Sequence, residues 1–156
     1  MQKHKGHKNM MTKGIATMMV AAVFLLLNGA TAGAFTTNMD ASIVIGQSSM
    51  ITSVSGTTAN TLNNPLVAQA YGSKLIILDG NNHRVLIYNS IPTSDNASAD
   101  VVVGQPDFTS SGRNQGGSVA ANTLNYPYGA FTDGTKLYIV DGGNDRVLIY
   151  NSIPTS

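Results

Sequence analysis

The chain has 156 residues, of which 42% are hydrophobic and 11% charged, a balance that fits a folded globular protein and excludes disordered and collagen-like classes. Its formal charge of +1 belongs to the N-terminus, where Lys3, Lys5, Lys8 and Lys13 all precede the first long apolar run. Beyond Ala34, five basic residues stand against eight aspartates, a net −3, and a mildly acidic domain without a basic stripe is a poor binder of nucleic acid.

The eight acidic residues are all Asp, Cys is absent, and of three histidines His4 and His7 lie in the basic leader, so only His83 remains. That inventory removes thiolate chemistry, Cys/His zinc sites, histidine pairs and a Glu general base. The expectation is therefore of no catalytic constellation, no metal and no cofactor.

In chain order, residues 1–34 read as a secretory signal: a basic stretch, the apolar run Ile15 to Leu27, the helix-breaking Asn28-Gly29, and small residues from Ala30 to Ala34. The run is shorter than the roughly 20 apolar residues a spanning helix needs. Ala32 and Ala34 both end an Ala-x-Ala site; cleavage after Ala34 is preferred, leaving Phe35 as the new N-terminus. The product is expected to be secreted or periplasmic and free of the membrane. Residues 35–42 form a short polar segment.

From residue 43 to 156 the sequence repeats itself. Asn60-Thr-Leu-Asn-Asn-Pro65 matches Asn122-Thr-Leu-Asn-Tyr-Pro127, and Lys74 to Ser94 matches Lys136 to Ser156, both at an offset of 62 residues. Ile43-Val-Ile-Gly-Gln47 matches Val101-Val-Val-Gly-Gln105 at an offset of 58, the difference falling in a polar stretch where loop insertion costs little. A fixed period decides the fold class before local propensity does. The units, at about 60–103 and 122–156, contain short runs of Val, Ile, Leu and Tyr between Asp, Asn, Gly and Pro, which are strand and turn signals. Strands are expected at 66–70, 74–78, 84–88 and 100–103, with 43–45 as an isolated fourth strand. The expected fold is all-β, with blades of four antiparallel strands covered by their neighbours as in a β-propeller. Two blades cannot close a ring, so the ring is incomplete unless further blades follow or three copies assemble.

The pattern Gly-x-Lys-Leu-x-Ile-x-Asp-Gly-x-Asn-x-Arg-Val-Leu-Ile-Tyr resembles the NHL repeat, and its core recurs as Asp79, Asn82, Arg84 and as Asp141, Asn144, Arg146. The resemblance extends from about Ile43 onward and suggests a fragment of an exported, bacterial-type member. It implies a β-propeller, commonly six-bladed, in a family that runs from binding modules to a few enzymes.

The repeated polar set is expected to build the blades rather than bind a ligand: Gly and Asn accept positive φ in the turn, and the arginine fork suits the nearby carboxylate and loop carbonyls. A calcium loop is weaker, since an EF-hand needs a closing Glu. Gly112 to Ser118 lacks the features of a phosphate loop and reads as a flexible loop. His83 reads as a turn residue. Tyr126-Pro127-Tyr128 could stack a sugar or a proline, but the same place in the first repeat is Asn64-Pro65-Leu66 and the start of a strand is the preferred reading; Asn96-Ala97-Ser98 satisfies the glycosylation pattern.

The leading functional expectation is an exported non-enzymatic module binding a protein, peptide or glycan, without nucleic acid as partner. The alternative is a fragment of a propeller enzyme resembling the family's metal-dependent lyases, whose catalytic residues would lie in other blades.

Overall fold

The computed structural model describes residues 37–156. The expected secretory leader and its expected cleavage between Ala34 and Phe35 lie outside the described residues. Among those described, no helix is long and apolar enough to cross a membrane.

Residues Met39–Ser156 form one unit that is mostly β. Each short apolar run becomes a strand: β1 (Pro65–Tyr71), β2 (Lys74–Asp79), β3 (Arg84–Tyr88), β4 (Val101–Val103), β5 (Gly129–Thr132), β6 (Leu137–Asp141) and β7 (Arg146–Tyr150). Among the described residues the helical content consists of single 3-10 turns at Gly80–Asn82 and Gly142–Asn144, while Arg113–Gly116 turns through Asn114 and Gln115 in the left-handed region at φ 51° and 58°. β1 to β4 form one antiparallel sheet in chain order, and β5 to β7 a second. The turn between β2 and β3 closes through His83, in the left-handed region at φ 51°, and its counterpart closes through Asp145 at φ 54°. Few residues other than Gly adopt that conformation freely, so both turns hold it against a local cost.

Register follows from these turns. Leu75 faces Tyr88, Ile77 faces Leu86 and Asp79 faces Arg84; in the second sheet Leu137 faces Tyr150, Ile139 faces Leu148 and Asp141 faces Arg146. Because side chains alternate across a strand, one face of the first sheet carries Ile76, Leu78, Val85 and Ile87. That face, extended by Val101 and Val103 of β4, packs on Leu137 and Ile139 of the second sheet together with Leu124. Its opposite face carries Ile77, Leu86 and Tyr88 against Leu62 and Ala99. Burial of each such aliphatic side chain contributes roughly 1.5–3 kcal/mol.

Residues 43–45 form no strand, against the sequence expectation. A strand exists only through its partner: β4 pairs with β3 of its own repeat, whereas no strand lies beside 43–45 among the described residues. The Val44 amide donates instead to the Asp95 carboxylate at 2.8 Å, and its carbonyl accepts from the Asn96 amide at 3.0 Å. The position of the segment is nevertheless that of β4 in the other repeat. Gly46 lies under Leu62 as Gly104 lies under Leu124, both glycines have positive φ, and a Cβ on either would come within 3 Å of the leucine.

Candidate functional site

Register places the repeated polar residues opposite one another, so that each copy builds a clamp. In the first, Asp79 Oδ2 accepts from Arg84 Nε at 2.7 Å and from Asn82 Nδ2 at 2.8 Å, while its Oδ1 accepts the Asn63 amide at 2.6 Å. Arg84 uses the rest of its fork on backbone carbonyls: Nη2 donates to Thr58 and Thr61 at 2.9 and 3.0 Å, and Nη1 donates to Phe108. Asn82 also donates to the Gly56 carbonyl and accepts from the Thr57 hydroxyl. The ion pair is fully buried. A charge out of water is costly unless its hydrogen bonds are met, and here they are met by the chain's own backbone.

The second clamp repeats this wiring. Asp141 Oδ2 accepts from Arg146 Nε and Asn144 Nδ2, both at 2.8 Å, and Oδ1 accepts the Asn125 amide at 2.7 Å. Arg146 Nη2 donates to the Ala120 and Thr123 carbonyls at 2.7 Å. Two differences stand out. Asn144 pairs with Asn114 through two amide hydrogen bonds, at 2.9 and 3.2 Å, where the first copy uses Gly56 and Thr57. The Arg146 side chain keeps 24% exposure while that of Arg84 has none, because β4 and the chain running on to Phe108 have no counterpart beside β7 among the described residues.

The stretch 112–118, expected as a flexible loop, is therefore tied down at Asn114, which is buried and donates its amide to the Leu124 carbonyl at 2.9 Å. Sequence reasoning missed it because the insertion that shifts the offset from 58 to 62 falls in this stretch and leaves Asn114 without an aligned partner. It also missed Asn63 and Asn125. Their signal was present: each is the last Asn of the repeated Asn-Thr-Leu-Asn motif, and its amide caps the clamp carboxylate.

The clamps lie at the end of the sheets where the β2–β3 and β6–β7 turns gather, and that end carries a polar and aromatic cluster. Asn64 Nδ2 donates to the Tyr126 hydroxyl at 2.7 Å, the Tyr126 amide donates to His83 Nδ1 at 2.9 Å, and Asn81 Nδ2 donates to Asn63 Oδ1 at 3.1 Å. Tyr126 and Tyr128 meet edge to face with ring centroids 5.1 Å apart, and Tyr128 is 56% exposed. Its ring covers Gly142, where a Cβ would lie 1.9 Å from it. The His83 imidazole is held below its ordinary pKa, first by burial and then by the Arg113 guanidinium, against a smaller opposite pull from Asp141. Its ring nitrogen thus remains an acceptor for the Tyr126 amide near neutral pH.

Among the described residues no three His, Asp or Glu side chains gather as metal ligands would. The glycosylation motif at Asn96 sits where its amide bonds Val44, half-buried. No family model, curated protein or solved structure matches the chain.

Proposed function

We propose that the two sheets are NHL-type β-propeller blades, the second holding three of its four strands, in an exported, non-enzymatic module that takes a protein, peptide or glycan at the turn end of its sheets. The observation that carries the reading is the duplication of the Asp–Asn–Arg clamp, whose hydrogen bonds go to backbone groups in both copies. Groups spent on the fold in this way do the work of blade architecture, which leaves recognition to what differs between the copies. The largest such difference at the turn end is Tyr126-Pro127-Tyr128 against Asn64-Pro65-Leu66. An exposed tyrosine beside asparagine amides supplies an apolar face and directional donors, the combination that suits a sugar ring or a peptide proline. Export rests on the order of basic, apolar and small residues in the leader; the reaction-free role needs neither metal nor cofactor.

The experiment is binding of the full chain to glycan and peptide arrays, repeated with Tyr128→Ala and Asn64→Ala. Loss of the bound class with an unchanged melting temperature supports the reading. Retention of every bound class by both variants would overturn the placement of the site. For export, mass spectrometry of secreted material is expected to find Phe35 at the N-terminus, and an intact leader would sink that part.

A further inference from the structure

The two sheets offer the same residues to different surroundings. On the first sheet Ile76, Leu78, Val85 and Ile87 are fully buried under the second sheet. At the offset of 62 their counterparts are Tyr138, Val140, Val147 and Ile149, on the same face of the second sheet; Val140 is 42% exposed, Val147 57% and Ile149 58%. Phe131 adds a ring, 57% exposed, to the same face, tilted on Tyr138 with centroids 5.9 Å apart. A contiguous apolar face of this kind is an interaction surface or an aggregation liability.

The molecule also carries the matching half. On the far side of the first sheet an apolar groove of about 380 Å³ is lined by Ile45, Leu62, Ala68, Leu75 and Ile77, with Leu66 at its edge. Moved forward by the two repeat offsets, the first five residues become Val103, Leu124, Ala130, Leu137 and Ile139; the last four meet the first sheet in the internal core, where Val103 of β4 lies beside them. So the internal sheet-to-sheet contact has a face and a counterface, and each occurs a second time on opposite sides of the same chain, the second counterface with Leu66 and Ala68 exposed, Ile45 and Leu75 half-buried, and Leu62 and Ile77 at its buried floor.

We infer that copies of this chain associate head to tail, the Val140, Val147 and Ile149 face of one copy seating in the Ile45, Leu62 and Ile77 groove of the next. The occupant is a second copy because the internal interface shows what covers this face, and the groove is built from the same repeat positions as that covering surface. The contact is heterologous, so it propagates until a rotation closes a ring or it runs on as a fibre; three copies would supply six sheets. The inference rests on the repeat reading alone, not on export or on a ligand at the turn end, so failure of either of those leaves it standing.

Engineered cysteines provide the test, against no background because the chain has none of its own. β5 packs against β1 and β2, so the groove's β1 is expected to reach β6 of the preceding copy. Val140→Cys and Ala68→Cys therefore stand at the positions equivalent to Leu78 and Ala130, which share the internal core. The expected result is a disulfide-linked pair of chains when the two full-length variants are mixed under mild oxidation, and no such pair with either variant alone. Light scattering is expected to show wild-type mass rising with concentration, and Val147→Asp with Ile149→Asp to give a monomer with the wild-type circular dichroism spectrum. A closed ring and an open polymer both support the contact if the mixed disulfide forms. A wild type that stays monomeric and melts cooperatively would overturn it, as would a polymer without the mixed disulfide or Val140→Cys pairing as readily with itself.

Discussion

Ile87 and Ile149 stand at the same place in two identical copies of Arg-Val-Leu-Ile-Tyr, at the same register opposite Ile76 and Tyr138, yet the first has no exposed surface and the second is 58% exposed. Their strands are equally well formed. What differs is the neighbour: the first sheet has β4 at its edge and the second sheet on its face, while among the described residues the second sheet has no fourth strand and nothing covers its Val140, Val147 and Ile149 face. Burial in this chain is thus conferred by the next repeat rather than by the strand itself, as in quasi-one-dimensional repeat proteins whose stability divides into unit and interface terms. The same contrast runs through the clamps, where Arg84 is sealed and Arg146 keeps contact with water.

The largest expected effect breaks the sealed clamp. Arg84→Ala leaves the Asp79 carboxylate buried without its cation and strips three carbonyls of their donor, which costs about 3–5 kcal/mol. Arg146→Ala makes the same cut where water can reach the site, and is expected to cost about 1–3 kcal/mol. Urea denaturation of both variants at low protein concentration checks the order. Equal losses would show that exposure at Arg146 brings no relief.

Next in size is the core position itself. Ile87→Ala removes a branched side chain from between two sheets and is expected to cost about 2–5 kcal/mol, whereas Ile149→Ala in the isolated chain should stay within about 0.5 kcal/mol. If association buries Ile149, the gap between the two variants narrows as protein concentration rises. Melting both across a hundredfold dilution series, a range of about 2.7 kcal/mol in mass-action terms, sharpens the comparison into a measure of the interface.

How far the sequence alone reached can be seen in particular residues. The strands, the turns and the Asp, Asn and Arg of each clamp were legible because they repeat in register, and repetition turns a weak local signal into a strong one. Residues 43–45 misled for the same reason: their likeness to Val101–Val103 is real, but a strand also needs a partner, and sequence likeness does not supply one. Asn114 and the His83–Tyr126 contact were illegible because they join segments 30 and 43 residues apart at positions where the copies differ. The exposed face of the second sheet could not be read from its strands either, since these are nearly the same residues that are buried in the first.

A smaller effect separates the two turn ends. Gly80 and Gly142 hold the same place, but Gly80 sits beneath Leu66, whose nearest atom would be 3.0 Å from an added Cβ, while Gly142 sits beneath the Tyr128 ring at 1.9 Å. A flexible leucine tip can give by a few tenths of an ångström; a ring wedged on the backbone must leave. Gly142→Ala is therefore expected to cost about 1–3 kcal/mol and to change the near-ultraviolet circular dichroism as Tyr128 swings away from Tyr126. Gly80→Ala should do less on both counts, and an unchanged tyrosine signal in Gly142→Ala would show that the edge-to-face pair does not depend on this glycine.

The smallest expected effect is a pH dependence confined to one of the two turns. His83 and Asp145 occupy the same left-handed turn position, and only the first carries an imidazole. Its Nδ1 accepts the Tyr126 amide at 2.9 Å, which the protonated ring cannot do, and burial together with Arg113 holds its folded pKa below the ordinary value of 6.5. As pH falls, the unfolded chain takes up the proton first. The contribution is therefore complete above 6.5 and is lost as pH drops from there through the lower folded value; below both values it no longer changes. His83→Asn keeps a side chain that tolerates positive φ and whose carbonyl can accept the Tyr126 amide, and it removes the titration. Thermal melts from pH 8 to 5 are expected to show the wild type losing stability over the acidic part of that range faster than His83→Asn, with the His83 ring protons titrating below 6.5 by NMR. The other titrating groups are common to both proteins, so parallel pH profiles would mean that the imidazole is not what holds Tyr126 at the turn.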